Sequence, residues 1–259
     1  MFTFRSTTIA FFILLLTVNV LALAGFHVPF FLPLLLIGIY LFVSVTMSFF
    51  IRSGYHMKVN CRAKTNEKIL SVTFDDGPDK ELTPLMLDAL KEIKIPVTFF
   101  CIGKKIRGNE DILQRMDAEG HLIGTHSYSH SNWFDLFSPK RMRNELLQSS
   151  RLVFETTGKN PLLFRPPYGV INPMLKRALR GTGFHVIGFS NRAWDTTSRN
   201  EDVILKRLQK NLKPGDIIVL HDTIAVNIEV IKKFTEYLHQ SGYRIVSLDR
   251  LLNINTYEG

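Results

Sequence analysis

Between Ser6 and Ile51 the sequence has no aspartate, glutamate, lysine or arginine. A run of that length cannot form the charged, solvated surface of a water-soluble fold. It divides into TTIAFFILLLTVNVLALA (Thr7–Ala24) and FLPLLLIGIYLFVSVTMSFF (Phe31–Phe50), joined by GFHVPF. Each half approaches the ~20 apolar residues that cross a bilayer core, and Gly25 and Pro29 supply a tight turn between them. Residues 1–55 are therefore expected to form a membrane segment with transmembrane helices at about 7–24 and 31–50, making this an integral protein of the cell or inner membrane. Arg5, the apolar stretch and Ala22-Leu23-Ala24 also have the form of a cleaved signal peptide, but a second long span follows directly. With Arg5 before the pair and Arg52, Lys58, Arg62 and Lys64 after it, the positive-inside rule places both ends in the cytoplasm. Loss of the first span would place the C-terminal domain outside, so the side of the membrane stays open.

Other scarcities exclude other classes. Two cysteines, Cys61 and Cys101, say little: Cys101 ends an apolar run where a buried thiol is ordinary, and a disulfide between the two stays open although nothing in their spacing argues for one. No low-complexity tract or short internal repeat interrupts the chain. The net charge of +9 is spread out, and no basic stripe interleaved with aromatics accompanies it, so no nucleic-acid partner is expected. Attraction to anionic lipid is a simpler use for excess positive charge beside a membrane segment. Nothing in the sequence signals an oligomeric state.

After a juxtamembrane linker, residues 56–67, the stretch 68–259 has the length of one domain. Apolar or β-branched runs recur at Ile69–Phe74, Val97–Ile102, Leu122–Thr125, Leu162–Phe164, Val186–Phe189, Ile217–Leu220 and Arg244–Val246. Helix-like segments lie between them, including Thr83–Ile93, PKRMRNELLQSSRLVFETTG, PMLKRALRGTG, EDVILKRLQKNL and VNIEVIKKFTEYLHQSG. Strand-then-helix alternation predicts an α/β fold of about seven parallel strands, as an open sheet or a barrel. Chemistry in such folds collects at the carboxyl ends of the strands. DDGPD, HSYSH, RPPYG, DTT and HD all fall at that end.

These clusters contain the groups of a hydrolytic site. Asp75 and Asp76 are adjacent like charges, which repel unless a cation or proton lies between them. His126 and His130, with one of the aspartates, make a two-histidine, one-carboxylate set that leaves positions on a divalent metal open; the other carboxylate is then free to act as a base. Arg165 has the planar fork suited to holding a carboxylate, and the prolines after it stiffen the turn that presents the Tyr168 backbone N–H to an oxyanion. His221, ending an apolar strand, has Asp195 as its candidate partner and Asp222 as a local competitor.

In this order TFDDGP, HSYSH, RPPYG and VLHD resemble the motifs of the polysaccharide deacetylase family, carbohydrate esterase family four, whose module is also called the NodB homology domain. The resemblance extends from about Ile69 to Leu251. It implies a distorted (β/α) barrel and metal-dependent removal of N-acetyl groups from amino sugars. By motif position Asp75 would be the general base, and Asp76, His126 and His130 would hold the metal, usually zinc. Arg165 would orient Asp75, Tyr168 would contribute its amide to the oxyanion hole, and His221 would be the general acid, tuned by Asp195. Pro167, Trp194 and Val219 would contact substrate. The family often has Trp after the fourth-motif aspartate, where this chain has Thr196, and Leu where it has Val219; these departures bear on the acyl group removed. The expected substrate is an N-acetylated amino-sugar polymer such as peptidoglycan or chitin. The membrane segment also suits deacylation or deformylation of a lipid-linked saccharide, and a non-catalytic sugar-binding protein on the same fold is the alternative of another class.

Overall fold

The computed structural model describes residues 3–210 and 212–258. Met1, Phe2, Asn211 and Gly259 lie outside the described residues, at the edges of the expected membrane segment, of one expected helix and of the C-terminal domain.

Two antiparallel-connected apolar helices come first, α1 (Phe4–Leu23) and α2 (Leu32–Ser48). Both are apolar around their circumference, with one buried residue each, Val18 and Ser48. Helix α1 is long and apolar enough to cross a membrane; α2, at 17 residues, is at the short end of the usual range of about 17–25. The helices meet through Phe11 stacked on Tyr40 at 4.5 Å and the Thr8–Tyr40 hydroxyl pair at 2.9 Å.

Among the described residues the rest is built on eight strands: β1 (Ile69–Asp75), β2 (Thr98–Cys101), β3 (Leu122–Thr125), β4 (Leu163–Phe164), β5 (His185–Val186), β6 (Asn191–Arg192), β7 (Ile217–His221) and β8 (Arg244–Ile245). Their order is β5-β4-β3-β2-β1-β7-β6, with β8 on the start of β1, and every pairing is parallel. This is the expected distorted barrel, open along one seam. Seven of the strands match the expected runs; β6 is additional, two polar residues with no β-branched signal.

Alternation along β1 sorts its side chains. Leu70, Val72 and Phe74 pack with Met86, Leu90 and Phe234 beneath the helices. Ser71, Thr73 and Asp75 face the other way, and each finds a partner there: Ser71 Oγ donates to Val246 O at 2.7 Å, Thr73 Oγ1 to Ile218 O at 2.6 Å, and Asp75 receives Arg165. The buried polar residues of β1 are therefore satisfied, as a barrel interior requires. The helices start where the sequence signals them: Ser138 accepts from Arg141 N–H before Pro139–Thr157, and Asn172 from Leu175 N–H before Pro173–Ala178.

The seam between β5 and β6 is occupied by residues that read in sequence as a linker. Asn60 N–H donates to Val186 O and Gly188 N–H to Asn60 O, both at 2.9 Å, and Ala63 N–H donates to Gly215 O at 2.9 Å. Arg62 Nε donates to Asp216 Oδ1 at 2.8 Å. Gly188 is required here, because a Cβ on it would meet Cys61 Sγ at 2.5 Å. Cys61 and Cys101 are both buried and unbridged. The helical pair is also tied to the barrel, Ile171 N–H donating to Ser48 O at 2.9 Å, while Phe4 N–H donates at 2.9 Å to Tyr55 O in the segment that follows α2.

Candidate active site

The strand register assembles the site. On β1 and β7 Asp75 pairs with His221, so two strands distant in sequence end side by side with an acid and a base. Strand β6 pairs Arg192 with Val219 and thereby carries Asp195 to His221. The loop after β3 brings His126 and His130, and the loop after β4 brings Arg165 and Tyr168. A pocket of about 280 Å³ results, lined by Asp75, Asp76, His126, His130, Tyr168 and His221 among others.

Asp76, His126 and His130 offer ligand atoms within 4.8 Å of one another. His126 Nε2 lies 3.6 Å and His130 Nε2 3.3 Å from Asp76 Oδ1. The tautomers follow from the outer partners. His126 Nδ1 is 2.8 Å from Arg165 O, and a carbonyl only accepts, so Nδ1 carries a proton and in the neutral ring Nε2 presents a lone pair. The Tyr168 hydroxyl donates its single proton to Asn132 Oδ1 at 2.7 Å, so at 3.3 Å it accepts from His130 Nδ1–H, and that Nε2 is also a lone pair. Burial, then the neighbouring His126, push the His130 pKa down to about 4, which keeps the ring neutral at pH 7. Two lone pairs therefore face a carboxylate oxygen that is buried and has no hydrogen-bond partner. This donor set fits a divalent cation and is otherwise repulsive.

Asp75 and Arg165 form a buried pair behind the pocket. Arg165 is fully buried; its Nη1 donates to Asp75 Oδ1 and Thr73 Oγ1, both at 2.7 Å, and Nη2 donates to Gly188 O at 2.9 Å. Its guanidinium lies 4.2 Å from the Phe100 ring centre. Asp75 Oδ1 is thus engaged, while Oδ2 has no hydrogen bond among the described residues.

Asp195, not Asp222, partners His221. The Asp195 carboxylate accepts His221 Nδ1–H at 3.0 Å, the His221 backbone N–H at 2.9 Å and Asn227 Nδ2 at 2.6 Å. Burial disfavours the imidazolium, yet the hydrogen bond and charge of Asp195, with Asp75 and Asp76 beyond, outweigh it and raise the His221 pKa above its ordinary 6.5. The same contacts hold the Asp195 pKa below its ordinary value despite burial. Asp222 turns away to accept the Thr83 hydroxyl at 2.5 Å, and burial pushes its pKa up to about 7. It packs so tightly under the DDGPD turn that a Cβ on Gly77 would collide with it.

Val219 lines the pocket as expected of a substrate contact, together with Thr196. Both prolines of this turn are buried; Pro166 lines the pocket and Pro167 is not among its lining residues. Trp194 is 49% exposed and lies on an adjoining groove. Thr73, Asn132 and Asn227 are second partners that no motif singled out; each contacts the site only because separate loops converge. Seven non-glycine residues among those described have positive φ, and five of them, Asp76, Ser127, His130, Tyr168 and Trp194, belong to the loops that carry the site. Such backbone costs on the order of 1–3 kcal/mol per residue and persists where the surroundings enforce it, as functional geometry does.

Comparison with known proteins agrees with this geometry. The polysaccharide deacetylase profile matches residues 62–187. A peptidoglycan-N-acetylglucosamine deacetylase of Bacillus cereus is 34% identical over 208 residues, covering 77% of this chain and 94% of the relative. The peptidoglycan-N-acetylglucosamine deacetylase PgdA of Listeria monocytogenes is 33% identical over 190 residues, 73% of this chain but only 40% of that longer protein. Among solved structures, the Bc1960 peptidoglycan N-acetylglucosamine deacetylase superposes with a TM-score of 0.72 at 28% identity, over 77% of this chain and 95% of its own. With the motifs on the ends of the strands and a relative matched along almost its whole length, the chain belongs to the polysaccharide deacetylase family of amide-bond hydrolases.

Proposed function

We propose that this protein is a membrane-anchored, metal-dependent deacetylase that hydrolyses the N-acetyl groups of amino-sugar glycans of the cell wall, peptidoglycan first among them. The observation that carries the reading is the convergence of two histidine lone pairs on Asp76, with Asp75 and His221 at the same pocket. The acetyl specificity takes support from the relatives, and the anchor from the apolar pair α1 and α2.

A divalent cation, zinc by the character of a two-histidine, one-carboxylate set, would be held by Asp76, His126 and His130 and would polarise the acetyl carbonyl and acidify water. The chain's own groups manage the protons. Arg165 fixes Asp75 through Oδ1, so Oδ2 takes the proton from the attacking water. The Tyr168 amide is the donor assigned to the oxyanion. As the C–N bond breaks, His221 delivers its Nε2 proton to the departing amine, while Asp195 steadies the ring through Nδ1. Val219 and Thr196 line the pocket and would contact the acetyl methyl group.

Acetate release from chitotetraose and from peptidoglycan fragments, with the full chain in detergent or nanodiscs, tests this reading. Turnover is expected to stop with chelator and return with zinc, and His126→Ala should lose both bound metal and activity. Absence of acetate from both substrates, or chelator-insensitive release, would overturn it.

The His221–Asp195 pair sets the pH dependence. The acid form of His221 is present below its pKa and is lost as pH rises through it; because that pKa is raised, the alkaline limb of kcat/KM should lie above pH 6.5. In Asp195→Asn the raising charge is gone and burial dominates, so the limb should move to lower pH. An unmoved limb in a pH–rate profile of the folded variant would remove His221 from the role of acid.

A further inference from the structure

The catalytic pocket adjoins a larger groove of about 760 Å³, and the two share Tyr168, Gly169, Phe189 and Arg192. One wall is the chain just after α2, where Phe49 and Phe50 are 67% and 59% exposed. Exposed aromatics at the end of an apolar span belong at the membrane–water interface, the level of lipid phosphates. Beside them is Arg52, and Arg192, Arg207, Lys210 and Lys213 also line the groove. No Asp or Glu lines the groove, and among the described residues none of these five cations has a carboxylate partner. Arg192 lies 4.2 Å from the Trp194 ring centre, and Arg207 Nη1 donates to Trp194 O at 3.0 Å; both forks keep further N–H donors free for a ligand.

Cations gathered without counter-charge repel one another, and a phosphate relieves the repulsion while matching the guanidinium fork. A neutral glycan would leave them unmatched. We propose that the groove holds the phosphate of a lipid-linked amino sugar, the inference resting on the deacetylase reading of the neighbouring pocket. The lipid chain lies in the bilayer beside α2, the phosphate or diphosphate sits on Arg52, Arg207 and Lys210, and the N-acetylated sugar passes Arg192 into the catalytic pocket. The substrate is then a membrane-held glycolipid with an anionic linkage.

The test compares three substrates with the full chain in phosphatidylcholine nanodiscs: N-acetylglucosamine joined to a polyprenol through phosphate, the same sugar as an uncharged long-chain alkyl glycoside, and soluble chitotetraose. Wild type should favour the phosphate-linked lipid over the alkyl glycoside by at least about tenfold in kcat/KM, the scale of charge-assisted hydrogen bonds. The double variant Arg52→Gln with Lys210→Gln should bring that ratio towards one and leave chitotetraose turnover unchanged. Equal rates on both lipids in wild type, or a variant that slows both alike, would overturn the proposal. If none of the three releases acetate, the deacetylase reading fails on its own; equilibrium binding of the two lipids, which needs no turnover, then decides the groove, and equal affinity would reject it.

Discussion

Asp75→Asn is expected to lower kcat by about 10²–10⁴-fold, the usual worth of a positioned general base, while bound metal and fold persist. The substitution keeps the shape of the side chain and an oxygen to accept from Arg165 Nη1, which now lies at 2.7 Å. What it removes is the carboxylate charge and the second oxygen, Oδ2, proposed as the base. In the proposed site Asp76 has another task, since it would hold the metal together with His126 and His130. Three measurements check the result: acetate release, metal content of the purified protein, and a thermal melt. A rate near that of wild type would take Asp75 out of the mechanism, and loss of metal at normal stability would place it among the ligands.

Arg165→Met should instead act on stability. The guanidinium is fully buried and satisfies Asp75, Thr73 and Gly188 together. Removing it strands a carboxylate and a carbonyl in a barrel interior, and breaking a buried ion pair from one side costs about 3–5 kcal/mol. For a domain of this size that lowers the melting temperature by on the order of 10 °C. The double variant Asp75→Leu with Arg165→Met removes the charge with its partner and should recover most of the loss while staying inactive. Equal destabilisation in the single and double variants would show that Arg165 matters for packing and not for its charge.

Much of this was legible in the sequence because long β-branched runs announce β1 and β7, and the motifs follow directly on strand ends. Strand β6 was not: Asn191 and Arg192 have no strand signature, and only pairing with Ile218 and Val219 makes them one. Asp195, placed in sequence after the fifth strand, is delivered by β6. The orienting residues escaped for a similar reason. Asn132 fixes His130 through the Tyr168 hydroxyl, and Asn227 reaches Asp195 from 32 positions away, contacts that exist only once the loops have met. Trp194, expected at the substrate, is held in a left-handed turn with its ring against Arg192, which sets it on the groove outside the catalytic pocket.

The strip Asn60–Ala63, bonded along the barrel seam, and the Ile171–Ser48 hydrogen bond bear on where the enzyme can work. A hydrolase on a loose tether sweeps a hemisphere and trims glycan throughout its reach. If, as proposed, the hairpin lies in a bilayer, this one would behave as a crane with a locked jib. Its pocket would then stay at one height and one heading, so deacetylation should be confined to amino sugars held next to the membrane. Lengthening the stretch between α2 and Asn60 would then not widen the working zone, since the domain would still be clamped at Ser48.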